Sequence, residues 1–279
     1  MPTPKETATT AVTLGEIVYR VATNVGCTRE GTTTSNGSTT TLIDSALSQA
    51  NNYWQGSAVI IIYTNDYKYN FRKISSSVQA TGTITFSPAL SYSVPANARY
   101  SLIKKRYPLD VIIQSINDAL MDFAELIYTQ DLTANETNEY SVGGDILANL
   151  CKVEYKIGES KWRTLYNWKI GVNAWGDQVL LASAPTNATV RLYYTDKHKP
   201  IFNDTDTLSP ILNEKHIDAI VYRATANAFQ WMKNKSNSVD AILLNNIQSY
   251  ELKAAEELRK NPPNWGIRRT PRFMEVKLG

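Results

Sequence analysis

An apolar stripe near the middle of the chain limits its fold more than any other feature. Ile112, Ile116, Leu120, Phe123 and Ile127 recur at spacings of 4, 4, 3 and 4, the period of one face of an α-helix. The sequence therefore predicts a helix from Leu109 to Tyr128, opened by Tyr107-Pro108 and about 30 Å long at 1.5 Å per residue. On both sides of it the texture changes to Thr, Ser, Asn and Gly between β-branched runs. The expectation is an α+β chain in which a spine helix separates two antiparallel β-rich modules.

The first module is expected over 28–106. Asn36-Gly37 is a hairpin signal, and Ala58 to Tyr63, Tyr67 to Ile74 and Thr83 to Phe86 read as strands, while Leu42 to Asn52 reads as a short helix. The second module, 131–200 after a spine of 107–130, has candidate strands at Leu150 to Ile157, Arg163 to Trp168, Gln178 to Leu181 and Thr189 to Tyr194. Turn residues separate these strands, so the module is a sandwich or a small barrel.

Helices are also expected near the chain's two ends. In the N-terminal segment 1–27, Thr13-Leu-Gly-Glu16 is a capping box ahead of the stripe Leu14, Ile17, Val18, Val21 and Val25, giving a helix near 14–25 with Gly26 as its stop. Over 201–260, Asn213 and Ser238 can cap two further helices, near 214–234 and 238–260. Their stripes are Ile217, Ile220, Val221, Ala224, Ala228 and Trp231, then Val239, Leu243, Ile247, Tyr250, Ala254 and Leu258. The short link Lys233 to Asn237 makes them an antiparallel hairpin that packs with the spine as a helical bundle. Beyond it, Pro262, Pro263 and Pro271 prevent a helix, so 261–279 is expected to be an extended C-terminal arm. Four basic residues against Glu275 give the arm a charge of +3.

Composition narrows the function more by exclusion than by indication. With 43% hydrophobic residues the chain can bury cores, and its longest apolar run, Ala58 to Tyr63, is far below the roughly 18 residues of a membrane span. No membrane partner is expected, and Met1 to Thr13 has no apolar core for a secretory signal. A formal charge of +3 on 279 residues neither demands nor forbids nucleic acid, because electrostatic DNA binding shows as a basic face and not as a total. Cys27 and Cys151 are too far apart for any recognised metal knuckle and read as buried reduced thiols.

Catalytic patterns are not found. His198 lies in the Lys197-His198-Lys199-Pro200 loop and His216 in a first helical turn, and nothing local supports a Ser/His/Asp or Cys/His arrangement at either. Gly143-Gly144-Asp145 lacks the spacing of a phosphate loop and reads as a turn, and Asp204 with Asp206 reads as a solvated acidic loop rather than a cation site. Asn-x-Ser/Thr triplets at Asn36, Asn135, Asn187, Asn203 and Asn234 are what so Asn- and Thr-rich a chain contains by chance. The chain is expected not to be an enzyme and to carry no cofactor or metal.

One aromatic cluster stands apart. If Lys161 to Trp168 were a single strand, Trp162, Thr164, Tyr166 and Trp168 would share one face, with Trp175 nearby. Trp162, Tyr166, Trp168 and Trp175 then form either part of a core, a contact between copies, or a platform that stacks on sugars or bases.

The order of segments resembles the head-to-tail connector, or adaptor, proteins of tailed bacteriophages. The residues that carry the likeness are Gly31, Thr39-Thr-Thr-Leu42-Ile-Asp44-Ser-Ala-Leu47, Trp54-Gln-Gly56, Arg72-Lys-Ile74 and Thr83-Ile-Thr-Phe86-Ser-Pro88. Tyr107-Pro108-Leu109-Asp110 and Ile116-Asn117-Asp118-Ala119-Leu120 extend it. The resemblance implies a structural virion protein in the neck between capsid and tail, made in the host cytoplasm. It implies a ring of about twelve copies, with portal and tail or neck proteins as partners and genomic DNA passing non-specifically through the channel. The helical bundle and the arm would grip the portal. Trp265, Ile267, Phe273, Met274, Val276 and Leu278 would serve as apolar anchors, and Arg268, Arg269 and Arg272 would pair with portal carboxylates. The alternative is a carbohydrate-binding tail-side structural protein that uses the Trp/Tyr face.

Overall fold

The structure, a computed structural model, describes residues 12–63, 68–122, 126–135, 137–209, 212, 214–236 and 240–261. Its helices are α1 (Leu14–Asn24), α2 (Leu109–Asp122), α3 (Gly144–Ala148), α4 (Glu214–Ser236) and α5 (Ala241–Lys260). Its strands are β1 (Thr28–Thr32), β2 (Thr41–Ile43), β3 (Ala58–Tyr63), β4 (Lys68–Val78), β5 (Thr83–Ser87), β6 (Arg99–Ile103), β7 (Leu126–Thr133), β8 (Glu139–Tyr140), β9 (Leu150–Ile157), β10 (Arg163–Thr164), β11 (Trp168–Val172), β12 (Gln178–Ala182) and β13 (Ala188–Asp196). The fold is α+β, and the chain divides into a first unit, Met1–Phe123 with Lys199–Asn261, and a second containing Ala124–His198.

The first unit is built on an antiparallel sheet in the order β1-β6-β3-β4-β5-β2. Its central strand β3 is buried on both faces, which is why Ala58 to Ile62 reads as one apolar run instead of alternating. Val59 and Ile61 join Leu42, Ile74, Ile84, Phe86, Tyr100 and Leu102 in one core, closed over by Leu47, Trp54, Leu90 and Val94 from the connecting loops. Helix α1 lies against β4. The approach requires glycine: a Cβ at Gly15 would sit 1.7 Å from the Tyr69 carbonyl oxygen. One turn on, the Tyr19 and Tyr69 rings stack at 5.2 Å. Helix α1 also packs on α2 and α4, α2 on α4, and α4 on α5 as the expected hairpin.

Three expectations for this unit are corrected. Leu42 to Asn52 is not helical, because Thr41–Ile43 pairs with β5 and Asn51 and Asn52 bond to the backbone around Ser77 and Gln79 instead. The reversal near Asn36-Gly37, bridged by Ser35 and Ile43, has its tight turn closed by the Ser38 amide donating to the Thr41 carbonyl at 3.1 Å, three residues further along. The second hairpin helix starts at Ala241, with Asp240 rather than Ser238 as its cap and its carboxylate accepting from the Ile242 amide at 2.9 Å. Asn213 and Val239 lie outside the described residues.

In the second unit, antiparallel sheets β10-β9-β13-β7 and β11-β12-β8 share one core of Tyr140, Val142, Leu147, Leu150, Val153, Leu165, Trp168, Leu180, Val190 and Leu192. Of the two forms left open by the sequence, this is the sandwich. The spine helix is shorter than expected: α2 ends at Asp122, and Leu126 to Thr133 becomes β7, paired with β13 over its whole length. Ile127 and Tyr128 satisfy a helical stripe and a strand alternation equally well. Eight consecutive ladder partners decide for the strand, where Tyr128 stacks on Tyr194 at 6.0 Å. Gly143-Gly144-Asp145 opens the short helix α3 instead of forming a bare turn.

Candidate functional site

In the first unit, β5 pairs with β4 only from Lys73 to Val78, so among the described residues no strand pairs with Tyr69 to Arg72 on that side. The space there, between β4, the segment Ser87 to Tyr92, the first turn of α2 and the loop Phe202 to Thr205, is a cleft of about 640 Å³. Its floor is a polar network. The Arg72 guanidinium donates through Nη1 to Asp204 Oδ2 at 2.9 Å and to the Phe71 carbonyl at 2.7 Å. Asn70 Nδ2 donates to the same carboxylate oxygen at 2.6 Å, and the Tyr92 hydroxyl donates to Asn70 Oδ1 at 2.8 Å. The Arg72 and Asp204 side chains are 13% and 10% exposed, so each charge depends on the other.

The loop expected to be solvated is therefore structural. Besides the Asp204 carboxylate, its backbone carbonyls at Asp206 and Asp204 accept from the amides of Leu14 and Gly15 at 2.8 and 3.2 Å, satisfying the first orphan donors of α1. The Asp206 carboxylate takes the Phe202 and Asn203 amides at 2.8 Å each. Those amides, Asn203 first, hold its carboxyl below the ordinary aspartate value. Only half of the capping box forms: Thr13 Oγ1 accepts from the Glu16 amide at 3.4 Å, while Glu16 turns to Arg20. Nearby, the Asn117 side chain clamps Ile201 by donating to its carbonyl and accepting from its amide, both at 2.9 Å.

The residues that carry the phage resemblance gather in the same unit. A Cβ on Gly31 would fall 2.3 Å from the Tyr100 ring, whose hydroxyl donates to Asp44 Oδ2 at 2.5 Å. Burial, then that bond, pushes the Tyr100 phenol up. Trp54 is buried with Arg29 over its ring at 5.8 Å, and Leu42, Ile74 and Phe86 complete the layer. Their work is structural, and no nucleophile–base pair forms among them. The Cys27 thiol is pushed up to about 12 by burial, which leaves it an unreactive neutral group. Cys151 is buried as well, and so are His198 and His216.

The aromatic residues of the second unit are dispersed. Lys161 to Trp168 is not one strand: Arg163–Thr164 pairs with β9, while Trp168 starts β11 in the other sheet. Trp162 is half-buried under the Arg191 guanidinium, 4.1 Å from its ring, and the Lys156 ammonium at 5.1 Å. Trp168 is a core residue. Tyr166 and Trp175 are exposed, but Tyr166 precedes β11 and Trp175 lies in the turn that ends it, so they occupy opposite ends of the β11/β12 hairpin. Beside Tyr166, at the end of that hairpin, is a second cleft of about 550 Å³.

Trp265, Ile267, Arg268, Arg269, Arg272, Phe273, Met274, Val276 and Leu278 lie outside the described residues. Among the described residues no helix is long and apolar enough to cross a membrane, and no group of three or more His, Cys, Asp or Glu side chains is placed to hold a metal ion. No protein-family model and no curated protein matches the chain.

Proposed function

We propose that the protein is a structural component of a tailed-phage virion, a head-to-tail adaptor that assembles as a ring between portal and tail and conducts DNA without catalysing a reaction. The observation that carries this reading is the fate of the residues behind the resemblance. Gly31, Asp44, Trp54 and Phe86 meet with Tyr100 around one side of the first unit's sheet, so they maintain a scaffold and leave no reactive group over. A chain whose distinctive residues are spent on a rigid module, with α4 and α5 as a long hairpin ahead of a basic arm, suits assembly better than turnover. In this reading α5 delivers the arm to the portal. The arm's aromatic and aliphatic residues dock in a groove, and Arg268, Arg269 and Arg272 fix register on carboxylates.

The test has two parts. Quantitative mass spectrometry of purified virions, referenced to the portal, is expected to give a ratio near one to one; absence from particles, or a large excess over portal, overturns the reading. A chain truncated after Asn261 is expected to keep the circular dichroism and thermal transition of the full chain but to lose co-sedimentation with assembled portal. Retained co-sedimentation removes the arm from the mechanism.

A further inference from the structure

The second unit holds a cleft that the adaptor reading does not use. It lies where β12 ends against the residue before β8 and is lined by Thr137, Asn138, Tyr166, Asn167, Lys169 and Ser183, with Trp168 at its base. Asn138 is the unusual member. Its backbone is left-handed, with φ of 55°, and is fixed by its amide donating to the Asn135 carbonyl and its carbonyl accepting from the Ala182 amide at 3.0 Å. Its Oδ1 is buried without a hydrogen-bond partner. Buried side-chain oxygens almost always have a donor. The terminal torsion of an asparagine is broad, so this amide can turn to meet a hydroxyl entering the cleft.

Tyr166 supplies the other half of a site. The residue is 78% exposed, yet its backbone is held between the buried side chains of Leu165, whose amide donates to the Val153 carbonyl at 2.9 Å, and Trp168. An exposed aromatic ring on a fixed backbone is a flat apolar surface presented at little entropic cost. Asn138, Asn167, Thr137 and Ser183 add side-chain amides and hydroxyls, each able to donate and accept, beside the apolar Leu181 and Ala182. Among the described residues no carboxylate lines the cleft to attract a cation, and one lysine is too little for a phosphate.

We propose that this cleft binds a neutral saccharide, with the ring of Tyr166 stacked on the apolar face of a pyranose and the side chains of Asn138 and Asn167 recognising its hydroxyls. The proposal stands independently of the adaptor reading. Its volume falls within the range of small-ligand pockets. It places recognition in a cleft at one end of the hairpin rather than on a continuous tryptophan face.

The full chain is to be probed by saturation-transfer NMR against the methyl glycosides of glucose, galactose, mannose and N-acetylglucosamine, and against lactose and maltose. At least one is expected to bind with a Kd of about 1 mM or tighter, and Tyr166→Ala and Asn138→Gly are each expected to weaken it about tenfold or more. Glycine accepts the left-handed backbone at 138, so that variant removes the amide while preserving the fold. Trp175→Ala, at the far end of the hairpin, is expected to leave binding unchanged. No transfer to any of the six sugars at about 10 mM, binding that survives both cleft variants, or binding lost with Trp175→Ala overturns the proposal. None of these results bears on copy number in virions or on portal binding, so the two readings fail separately.

Discussion

Replacing Asp204 by alanine isolates the contribution of one long-range ion pair. The backbone carbonyl of residue 204, which caps α1, is retained, and only the carboxylate shared by Arg72 at 2.9 Å and Asn70 at 2.6 Å is lost. Both charged side chains are about one-tenth exposed, so solvent cannot replace the missing partner. Removing one member of a buried pair costs about 3–5 kcal/mol, because the other charge is left desolvated. For a unit of this size each kcal/mol moves the midpoint by about 2–4 °C, so the first unit's calorimetric transition is expected to fall by about 6–20 °C. The paired variant Arg72→Met with Asp204→Leu removes both charges and is expected to recover most of the loss. Lys73→Ala serves as the control, since the Lys73–Asp110 bridge at 2.7 Å is 62% and 70% exposed and such pairs contribute about 1 kcal/mol or less. A transition unmoved by Asp204→Ala refutes the buried-pair argument. A paired variant as unstable as the single one shows that shape, not charge, was lost.

Two further outcomes follow from the same reasoning. The Asp131 carboxyl, lowered by its hydrogen bond from Arg191, and the Asp206 carboxyl, lowered by the Asn203 and Phe202 amides, each contribute stability above the ordinary aspartate pKa of about 4. That contribution disappears as pH falls through their depressed values. The urea midpoint is expected to drop below about pH 4 and to drop less in Asp131→Asn/Asp206→Asn; an equally steep fall in the variant refutes the assignment. Trp168→Ala is expected to cost about 3–5 kcal/mol as a core truncation, whereas Trp175→Ala, 86% exposed, stays within about 0.5 kcal/mol. Similar urea-derived losses for the two would restore the single aromatic face that the sequence suggests.

The elements most legible in the sequence were those with a long, unambiguous period. The helices at Leu14, Glu214 and Ala241, the buried strand Ala58–Tyr63 and the strand Leu150–Ile157 follow directly from spacing. Short or doubly compatible stretches did not resolve. Ile127 and Tyr128 fit helix and strand alike, and Arg163 to Trp168 alternates as one strand although it belongs to two sheets. The strands β1 and β6 were missed because Thr28–Thr32 is polar and only half-buried, and its partner Arg99–Ile103 lies some seventy residues further along the chain. The site residues were the least legible: Asn70 and Asp204 are separated by 134 positions, and the acidic loop around Asp204 carries no local sign of that partner. The unpaired Oδ1 of Asn138 had one weak signal, an asparagine in a turn, where left-handed backbone is common.

By itself the sequence determined the alternation of helical and β-rich segments, the α+β class and the buried stripes of the helices, because periodicity and turn chemistry act over a few residues and are written locally. Tertiary structure alone decided where the spine helix stops, which tryptophans are core and which face solvent, that Asp204 is a buried partner of Arg72, and that Asn138 meets Tyr166 at one cleft. Each of those depends on partners distant in the chain, whose pairing free energy exceeds the local preference of a short segment and exists only once the strands have found their register.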